Sequence, residues 1–366
     1  MNNLFFVHTP LQLVIAQQLI HQEKLCNNIL LYGYIDDNKH FLDIYDLLII
    51  QDLWADRIFF EQLPACADLS LHSPLRCFFK IKYNINRLET IIREQDIDNV
   101  YIGDIDNIGY QFLMFYFKGK VKVNIFEEGT SHYCYKKRES YNRRFQRMQE
   151  LILDYFYYLP FYRIRFARYW FRDGDYDRIP MNSRFSILPG YYNEPFDKLL
   201  IIDPDFQSIK LREYLRNEIQ IINKCENLVF LITSKVYGHQ KNEYYNQRYD
   251  AYLQTIKEFA DRLPSNCTIA IKLHPRENEE TGRDIIKVLE QKRIPSFVLS
   301  KDINLPVELY LQILQPNKII AFSNSSTMYN GFLYPKCEII DLISDFLHIC
   351  SYKGYYIDDL KRAYLK

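Results

Sequence analysis

The sequence predicts an α/β protein built from two doubly wound parallel lobes. Three observations lead to this prediction: the chain has 366 residues, short apolar runs alternate with longer helical patterns, and a proline-rich stretch divides these runs into two sets. The length suits two domains of ordinary size. Hydrophobic residues make up 48% and charged residues 25% of the chain, which is typical of a folded globular protein and excludes a disordered scaffold.

Each predicted strand is a short apolar, β-rich run that leads into a helical pattern. The first set comprises residues 4–8, 29–34, 57–60, 100–102 and 122–126, and the second comprises residues 198–202, 228–233, 268–273, 296–299, 318–321 and 338–341. The break is expected within the turn-rich residues 178–197, which contain three prolines. We therefore expect an N-terminal lobe over residues 1–190 and a C-terminal lobe over residues 191–366, with the active-site cleft between them. In open α/β sheets the ligand binds beyond the carboxyl ends of the strands, so functional residues are expected in the turns there.

Charge and composition exclude several classes of protein. Lys+Arg and Asp+Glu each number 46, so an electrostatic grip on nucleic acid by the whole protein is not expected. The 11 glycines form neither GxGxxG nor GxxxxGK[ST], which argues against a Rossmann dehydrogenase or a P-loop nucleotidase. Eight scattered cysteines without CxxC spacing favour reduced, buried thiols over disulfides or zinc. Neither an 18-residue apolar run nor a secretory signal pattern is found, so we expect a cytoplasmic protein.

Two turns in the first lobe carry candidate functional residues. Thr9 is a good helix N-cap and Pro10 suits the first helical position, whereas Gln12 lies on the first helical turn and is a candidate ligand contact. Glu127 and Glu128 follow the strand at residues 122–126. Two adjacent carboxylates raise the pKa of one of them by mutual repulsion, and a carboxylate near neutrality suits a general base. The alternative interpretation is a solvated acidic turn.

The predicted strand at residues 268–273 stops at His274, because Pro275 cannot continue the hydrogen-bonded ladder. We therefore expect His274 and Arg276 to project toward the cleft. A protonated imidazole binds a phosphate or donates a proton to a phosphate leaving group. The alternative is a structural histidine.

Small hydroxyl side chains follow the predicted strand at residues 318–321. Ser325, Ser326 and Thr327 lie within this run, at a predicted helix start. Side-chain donors, backbone N–H groups and the helix dipole together form an anion site without glycines. One of these hydroxyls is enough for an N-cap, which is the simpler alternative.

In this order, the turns resemble those of bacterial sialyltransferases, and the best fit is glycosyltransferase family 52, the lipooligosaccharide sialyltransferases. The resemblance rests on TPLQ at residues 9–12, EEG at 127–129, KLHPRE at 272–277 and the SS pair at 325–326. Related bacterial polysialyltransferases share the acidic-Gly, His-Pro and Ser-Ser/Thr motifs. The resemblance implies a GT-B-like fold and inverting transfer of N-acetylneuraminate from CMP-N-acetylneuraminate (CMP-Neu5Ac). It also implies a terminal galactose of a lipooligosaccharide or capsule glycan as the acceptor, in α-2,3 linkage.

The resemblance also assigns roles to individual residues. His274 is the leaving-group acid, Glu127 or Glu128 is the general base, and Glu308 in the segment 306–308 is the candidate for holding the ribose. His274 contacts the donor phosphate, which Ser325, Ser326 and Thr327 bind. Pro275 and Arg276, beside His274, are further candidates for donor binding, as is Gln12. The base has an alternative source in residues 231–250, which offer His239, Glu243 and Asp250.

No metal or other cofactor is expected, because CMP carries a single phosphate and no diphosphate has to be bridged. Asp104 and Asp106 form a DxD pattern after a first-lobe strand and are a weak metal candidate. Two rival functions remain open: a hexosyltransferase that uses a nucleotide diphosphate sugar, and a non-catalytic glycan-binding or capsule-assembly protein.

Residues 136–172 concentrate charge and aromatic side chains. This segment has ten Lys/Arg and three Asp/Glu, a net charge of +7, and residues 154–172 hold ten aromatics among four arginines. A helical subdomain with solvated arginines is one interpretation. Because basic and aromatic side chains also favour an anionic lipid surface, peripheral contact with the inner membrane is another. Family 52 members form dimers through central helices, so we also expect a homodimer.

Overall fold

The computed structural model divides the chain into two compact units, Met1–Ile209 and Lys210–Lys366. The structure describes residues 1–33, 40–60, 74–103, 114, 117, 119–127, 181–187, 197–203, 206–225, 227–237, 244–264, 266–274, 277–299, 305–322 and 337–350.

A seven-stranded parallel sheet organises the first unit, with strand order β3-β2-β1-β4-β5-β6-β7. Its strands are β1 (Asn2–Val7), β2 (Asn28–Tyr32), β3 (Asp56–Phe59), β4 (Ile97–Ile102), β5 (Lys122–Phe126), β6 (Ser183–Ser186) and β7 (Asp197–Leu199). The described helices are α1 (Pro10–Glu23), α2 (His40–Leu48) and α3 (Pro74–Glu94), with a short 3-10 helix at Gln51–Leu53. The winding direction reverses between β1 and β4, which places the switch point of this sheet there.

A five-stranded parallel sheet organises the second unit, with strand order β10-β9-β8-β11-β12. Its strands are β8 (Asn227–Ile232), β9 (Cys267–Lys272), β10 (Ser296–Val298), β11 (Lys318–Ala321) and β12 (Glu338–Asp341). The helices are α4 (Ile209–Tyr214), α5 (Arg216–Ile222), α6 (Tyr245–Ala260), α7 (Glu279–Gln291), α8 (Val307–Leu314) and α9 (Ile343–Ile349). Here the winding reverses between β8 and β11.

Two doubly wound parallel sheets confirm the predicted α/β class and the Rossmann-like lobes of a GT-B-like fold. All eleven predicted strands are found, with ends that differ from the prediction by at most three residues. Because parallel strands are buried on both faces, they appear in the sequence as continuous apolar runs, and β8, NLVFLI, is buried over five of its six residues.

The boundary between the lobes differs from the prediction. Residues 183–186 were expected to belong to a turn-rich linker, but they form β6 and pair with β5. The predicted strand at 198–202 was assigned to the second lobe, but β7 pairs with β6 and extends the first sheet. The division therefore falls between Ile209 and Lys210 rather than after residue 190. The predicted boundary within residues 178–197 was based on three prolines. In the sequence these prolines come before and between β6 and β7, and they do not mark the division between the lobes.

The start of α1 confirms the predicted cap. Thr9 is extended at φ −132° and its side chain accepts a hydrogen bond from the Gln12 N–H at 3.2 Å, while Pro10 occupies the first turn. The Gln12 side chain completes a capping box, because its Oε1 accepts from the N–H groups of His8 at 2.7 Å and Thr9 at 3.3 Å. Within the described residues, no helix is both long and apolar enough to cross a bilayer.

Candidate functional site

The two motifs predicted in the second lobe, the His-Pro turn and the Ser-Ser pair, each come after a strand that is a neighbour of β8. His274 lies just beyond β9, and residues 323–327 follow β11, while β8 pairs with both of these strands. Open α/β sheets bind ligands at the switch point, which here lies between β8 and β11, and β9 is the next strand beside β8. Ser325, Ser326, Thr327, Pro275 and Arg276 lie outside the described residues.

The backbone of His274 is fixed on both sides. Its N–H donates to Thr233 Oγ1 at 2.8 Å and to Glu277 Oε2 at 3.0 Å. Its carbonyl accepts from the Glu277 N–H at 2.9 Å, which closes a reverse turn. The histidine itself is half-buried. The end of β9 thus holds His274 in a defined position at the carboxyl edge of the sheet.

Glu277 is a buried carboxylate that the sequence analysis included in KLHPRE without assigning it a role. It is 8% exposed, and its Oε1 accepts from the Tyr237 hydroxyl at 3.1 Å, while its Oε2 also accepts from the Thr233 hydroxyl. Burial, followed by the charge of Glu277, raises the pKa of Tyr237, so the phenol stays protonated and remains a donor. The sequence contains a signal for this contact, because Glu277 lies three residues after His274. At this spacing a side chain can accept a hydrogen bond from the N–H of the residue that begins the turn.

Tyrosine rings pack beside this carboxylate. Tyr237 contacts Tyr245, Tyr249 and Tyr252 at centroid distances of 5.6, 5.1 and 5.1 Å. Tyr252 also lies 4.8 Å from the ring of Phe322, the last described residue before the Ser325–Ser326 pair. Burial raises the pKa of Tyr252 well above its ordinary value. Aromatic packing therefore connects the Glu277 turn with the end of β11.

Helix α8 brings Glu308 into the second lobe. Glu308 lies in the first turn of this helix and is 9% exposed. Two residues later, the buried Tyr310 ring lies 5.5 Å from Lys272 Nζ, at the end of β9. The helix that carries the predicted ribose contact therefore packs against the strand that leads to His274.

Gln12 lies at the switch point of the first sheet. A Cβ atom added to Gly103, directly after β4, would come within 3.0 Å of Gln12 Cγ and 2.8 Å of the Phe126 ring. Gln12 is 1% exposed, and its buried Nε2 has no hydrogen-bond partner among the described residues. An unsatisfied buried donor costs about 1–3 kcal/mol, so the capping role of Gln12 does not account for its whole side chain.

His8 is a buried titratable group at the same edge. It is 1% exposed, and burial lowers its pKa to about 3, against a smaller opposing effect of a hydrogen bond to the Phe60 backbone. Gly33 follows β2 here, and a Cβ atom at this position would lie 2.3 Å from the Phe60 carbonyl oxygen and 3.1 Å from the His8 ring. His8 is therefore neutral and closely packed.

Of the two predicted general bases, Glu127 is fully buried. Its Oε2 accepts from the Ile187 N–H at 2.6 Å and its own N–H donates to the Phe185 carbonyl at 3.0 Å. Glu127 thus connects the carboxyl ends of β5 and β6, an arrangement typical of a structural carboxylate. Glu128, the weak metal candidates Asp104 and Asp106, and residues 136–172 lie outside the described residues. Within the described part of the chain, no three His, Cys, Asp or Glu side chains are grouped as metal ligands would be.

Comparison of the whole chain with sequence models of protein families gives a match over residues 3–340 to the alpha-2,8-polysialyltransferase (POLYST) family. The chain belongs to this family. The match confirms the predicted sialyltransferase class. The polysialyltransferase family, rather than the lipooligosaccharide type named from the motifs, is the one that matches.

Comparison with curated proteins gives no match for this polysialyltransferase-family chain. Among solved structures, it is similar to UDP-GlcNAc 2-epimerase from Methanocaldococcus jannaschii, with 13% identity, 97% of this chain and 94% of that chain covered, and a TM-score of 0.49. It is similar to UDP-GlcNAc 2-epimerase from Neisseria meningitidis, with 12% identity, 89% and 79% coverage, and a TM-score of 0.46. It is also similar to MurG from Acinetobacter baumannii, with 9% identity, 100% and 90% coverage, and a TM-score of 0.42.

Proposed function

We propose that the protein is an inverting sialyltransferase that uses CMP-Neu5Ac and elongates a sialylated glycan through α-2,8 linkages. The family match over residues 3–340 is the observation that supports this function. A terminal galactose of a lipooligosaccharide or capsule glycan, in α-2,3 linkage, is the second acceptor candidate, and the order of the TPLQ, EEG, HPRE and SS motifs favours it.

In the proposed mechanism, CMP leaves the anomeric carbon while the acceptor hydroxyl attacks from the opposite face. His274, fixed at the end of β9, neutralises the phosphate and donates a proton to it, assisted by Arg276 and the Ser325–Ser326 pair. Glu308 holds the ribose. With one phosphate in the leaving group, the reaction has no diphosphate for a metal to bridge.

The general base is assigned to Glu128. Glu127 was the equal candidate, but its carboxylate is fully buried and accepts the Ile187 N–H. A fully buried carboxylate that already accepts a backbone N–H cannot reach the hydroxyl of an acceptor sugar. Glu127 is therefore better suited to hold the ends of β5 and β6 together, and the proposal gives Glu128 the role of removing the proton from the acceptor hydroxyl.

The proposal extends to where the enzyme works. We place it as a homodimer in the cytoplasm, in peripheral contact with the inner membrane through residues 136–172. The net charge of +7 in this segment supports attraction to anionic headgroups, and an acceptor carried on a lipid is made at that surface.

A donor and acceptor screen tests the function. The purified chain is incubated with CMP-Neu5Ac and either an α-2,8-linked oligosialic acid or a galactose-terminated glycan, with and without EDTA, and products are measured by mass. Successive additions of sialic acid to the oligosialic acceptor are expected, unaffected by EDTA. A single addition to galactose alone supports the second acceptor candidate.

Two results of the same screen contradict the function. Transfer from a UDP-sugar but not from CMP-Neu5Ac indicates a hexosyltransferase. Absence of transfer from any donor, together with calorimetry that detects neither CMP nor UDP binding, indicates a glycan-binding protein.

A further inference from the structure

The turn after β9 contains a buried carboxylate that the proposed mechanism leaves without a role. Glu277 lies three residues beyond His274 and forms hydrogen bonds to both backbone polar groups of that residue, at 3.0 Å through its carboxylate and at 2.9 Å through its own N–H. Taking a carboxylate out of water is unfavourable unless donors surround it. The donors that surround this carboxylate indicate what it does.

The three donors come from two adjacent strand ends. The His274 N–H follows β9, whereas the hydroxyls of Thr233 and Tyr237 follow β8. Thr233 acts twice, because its Oγ1 also accepts from the His274 N–H at 2.8 Å. Glu277 therefore ties the end of β8 to the residue on which the proposed phosphate chemistry depends.

We propose that Glu277 is a positioning residue for His274, an inference that rests on the proposed sialyl transfer. Hydrogen bonds to a charged acceptor are stronger than those between neutral groups, so the carboxylate fixes the His274 backbone more firmly than Thr233 alone does. Without it, the Tyr237 hydroxyl loses the Glu277 acceptor, and the Thr233 hydroxyl keeps the Lys272 carbonyl at 3.3 Å. The His274 N–H then retains one neutral partner, Thr233. A displacement of about 1 Å in a catalytic group lowers turnover by as much as about 10²-fold.

The next residue provides a matched control. Asn278 is the N-cap of α7, and its Oδ1 accepts from the Thr281 N–H and hydroxyl, each at 3.0 Å. The change Asn278→Ala removes a helix cap at the same junction between turn and helix and is expected to destabilise that helix start. None of the hydrogen bonds of Asn278 involves His274. The variant therefore disturbs the helix start and removes no contact to His274.

The test is a double-mutant cycle between Glu277 and His274. Glu277→Ala is expected to lower kcat by about 10–100-fold in the parent and to change it less than about 2-fold in a His274→Ala background, because residues that act through one another are not additive. Glu277→Gln is expected to restore most of the kcat, since its amide oxygen accepts the His274 N–H and its NH₂ donates to the Tyr237 hydroxyl. Asn278→Ala is expected to keep the parental kcat.

Two kinetic outcomes overturn the inference: the same loss from Glu277→Ala in both backgrounds, or an equal loss from Asn278→Ala. Hydrogen exchange of the His274 amide provides a readout that does not depend on turnover. Glu277→Ala is expected to accelerate this exchange, and an unchanged rate overturns the inference whether or not the parent transfers sialic acid. An inactive parent with accelerated exchange contradicts the proposed function and leaves the positioning of His274 by Glu277 supported.

Discussion

The titratable side chains beyond the carboxyl ends of the two sheets differ in how deeply they are buried. Glu127 and His8 are buried beyond the carboxyl ends of the first-lobe strands, and burial lowers the pKa of His8 so that it stays neutral. His274 is half-buried, and the fixed part is its backbone. His274, which the proposed mechanism brings to the donor phosphate, is thus the partly accessible side chain of the three.

The change His274→Ala is expected to lower turnover by about 10²–10⁴-fold, because general acid catalysis typically contributes that much. The measurement is kcat for sialic acid transfer from CMP-Neu5Ac. His348, an exposed histidine on α9 of the same lobe, provides the matched control, and His348→Ala should leave kcat unchanged. Turnover within a few-fold of the parent in His274→Ala contradicts the proposed mechanism.

The two adjacent glutamates are expected to respond differently to the same substitution. Glu128→Gln should abolish transfer and leave CMP affinity nearly intact, because a base for the acceptor hydroxyl acts in the transition state rather than in donor binding. Glu127→Gln should instead lower the stability of the first lobe, since it weakens the acceptor of the Ile187 N–H. Kinetics, calorimetry with CMP and thermal unfolding together separate these effects. An active Glu128→Gln enzyme directs the search for the base to residues 231–250.

We expect the first lobe to lose stability as the pH falls, because burial lowers the pKa of His8. Its pKa is about 3 in the folded protein and about 6.5 when unfolded, so the unfolded state binds the proton first as the pH falls. The contribution of His8 is complete above pH 6.5 and declines by about 1.4 kcal/mol per pH unit down to about pH 3.

The change His8→Gln removes this titration. Between pH 7 and pH 5, the parent is expected to lose about 2 kcal/mol more of its first-lobe unfolding free energy than the variant loses. Urea unfolding at the two pH values, followed by a probe in the first lobe, provides the comparison. Equal losses in the two proteins show that His8 is not the titrating group.

At the scale of single elements, the start of α1 illustrates how local sequence determines structure. Thr9 and Pro10 each fit one position of a capped helix start, so this start was predictable from local sequence. The capping box that Gln12 completes was not predicted, because Gln12 was expected to contact a ligand. The turn at Glu277 was not predictable in the same way. Its partners Thr233 and Tyr237 are about 40 residues away in sequence, and only the pairing of β8 with β9 brings them to this carboxylate.

The change Thr9→Ala is expected to destabilise the first lobe by about 1 kcal/mol, because the Gln12 N–H loses its side-chain acceptor. Thr9→Ser retains a hydroxyl in the same place and should remain close to the parent. Denaturant unfolding of the first lobe measures both changes. A serine variant as unstable as the alanine variant shows that the hydroxyl is not what stabilises this helix start.

Among the described strands, β6 is the one that the local sequence did not predict. β6 has four residues, SRFS, without an apolar run, and it includes the buried Arg184. Its place depends on pairing with β5 on one side and β7 on the other, which local pattern does not reveal. Strands such as β1 and β8 were predictable because burial on both faces imposes an apolar run. At the site, the position of His274 directly after a strand was predictable from Pro275, whereas the contacts of Glu277 with Thr233 and Tyr237 depend on the folded sheet.

The whole protein has a net charge near zero. Electrostatic attraction to an anionic membrane is therefore expected only from the basic residues within 136–172. We expect the protein to float with anionic liposomes at low ionic strength and to be released by salt, because screening weakens the attraction between basic side chains and headgroups. Flotation with anionic and neutral vesicles, each at low and high salt, measures this. Recovery in the soluble fraction under all four conditions contradicts membrane association and leaves a packing or dimer role for the segment.

The strand order also has a consequence for synthesis of the chain. In each sheet the first strand to be translated, β1 or β8, becomes an inner strand with a partner on both sides, and one of those partners is made about 90 residues later. Until β4 leaves the ribosome, one side of LFFV in β1 has no strand to pair with, and LVFLI in β8 waits likewise for β11. Distant pairing of this kind is slow and leaves apolar strand edges open to other nascent chains. We therefore expect an interval in the synthesis of each lobe during which this apolar strand lacks one of its two partners.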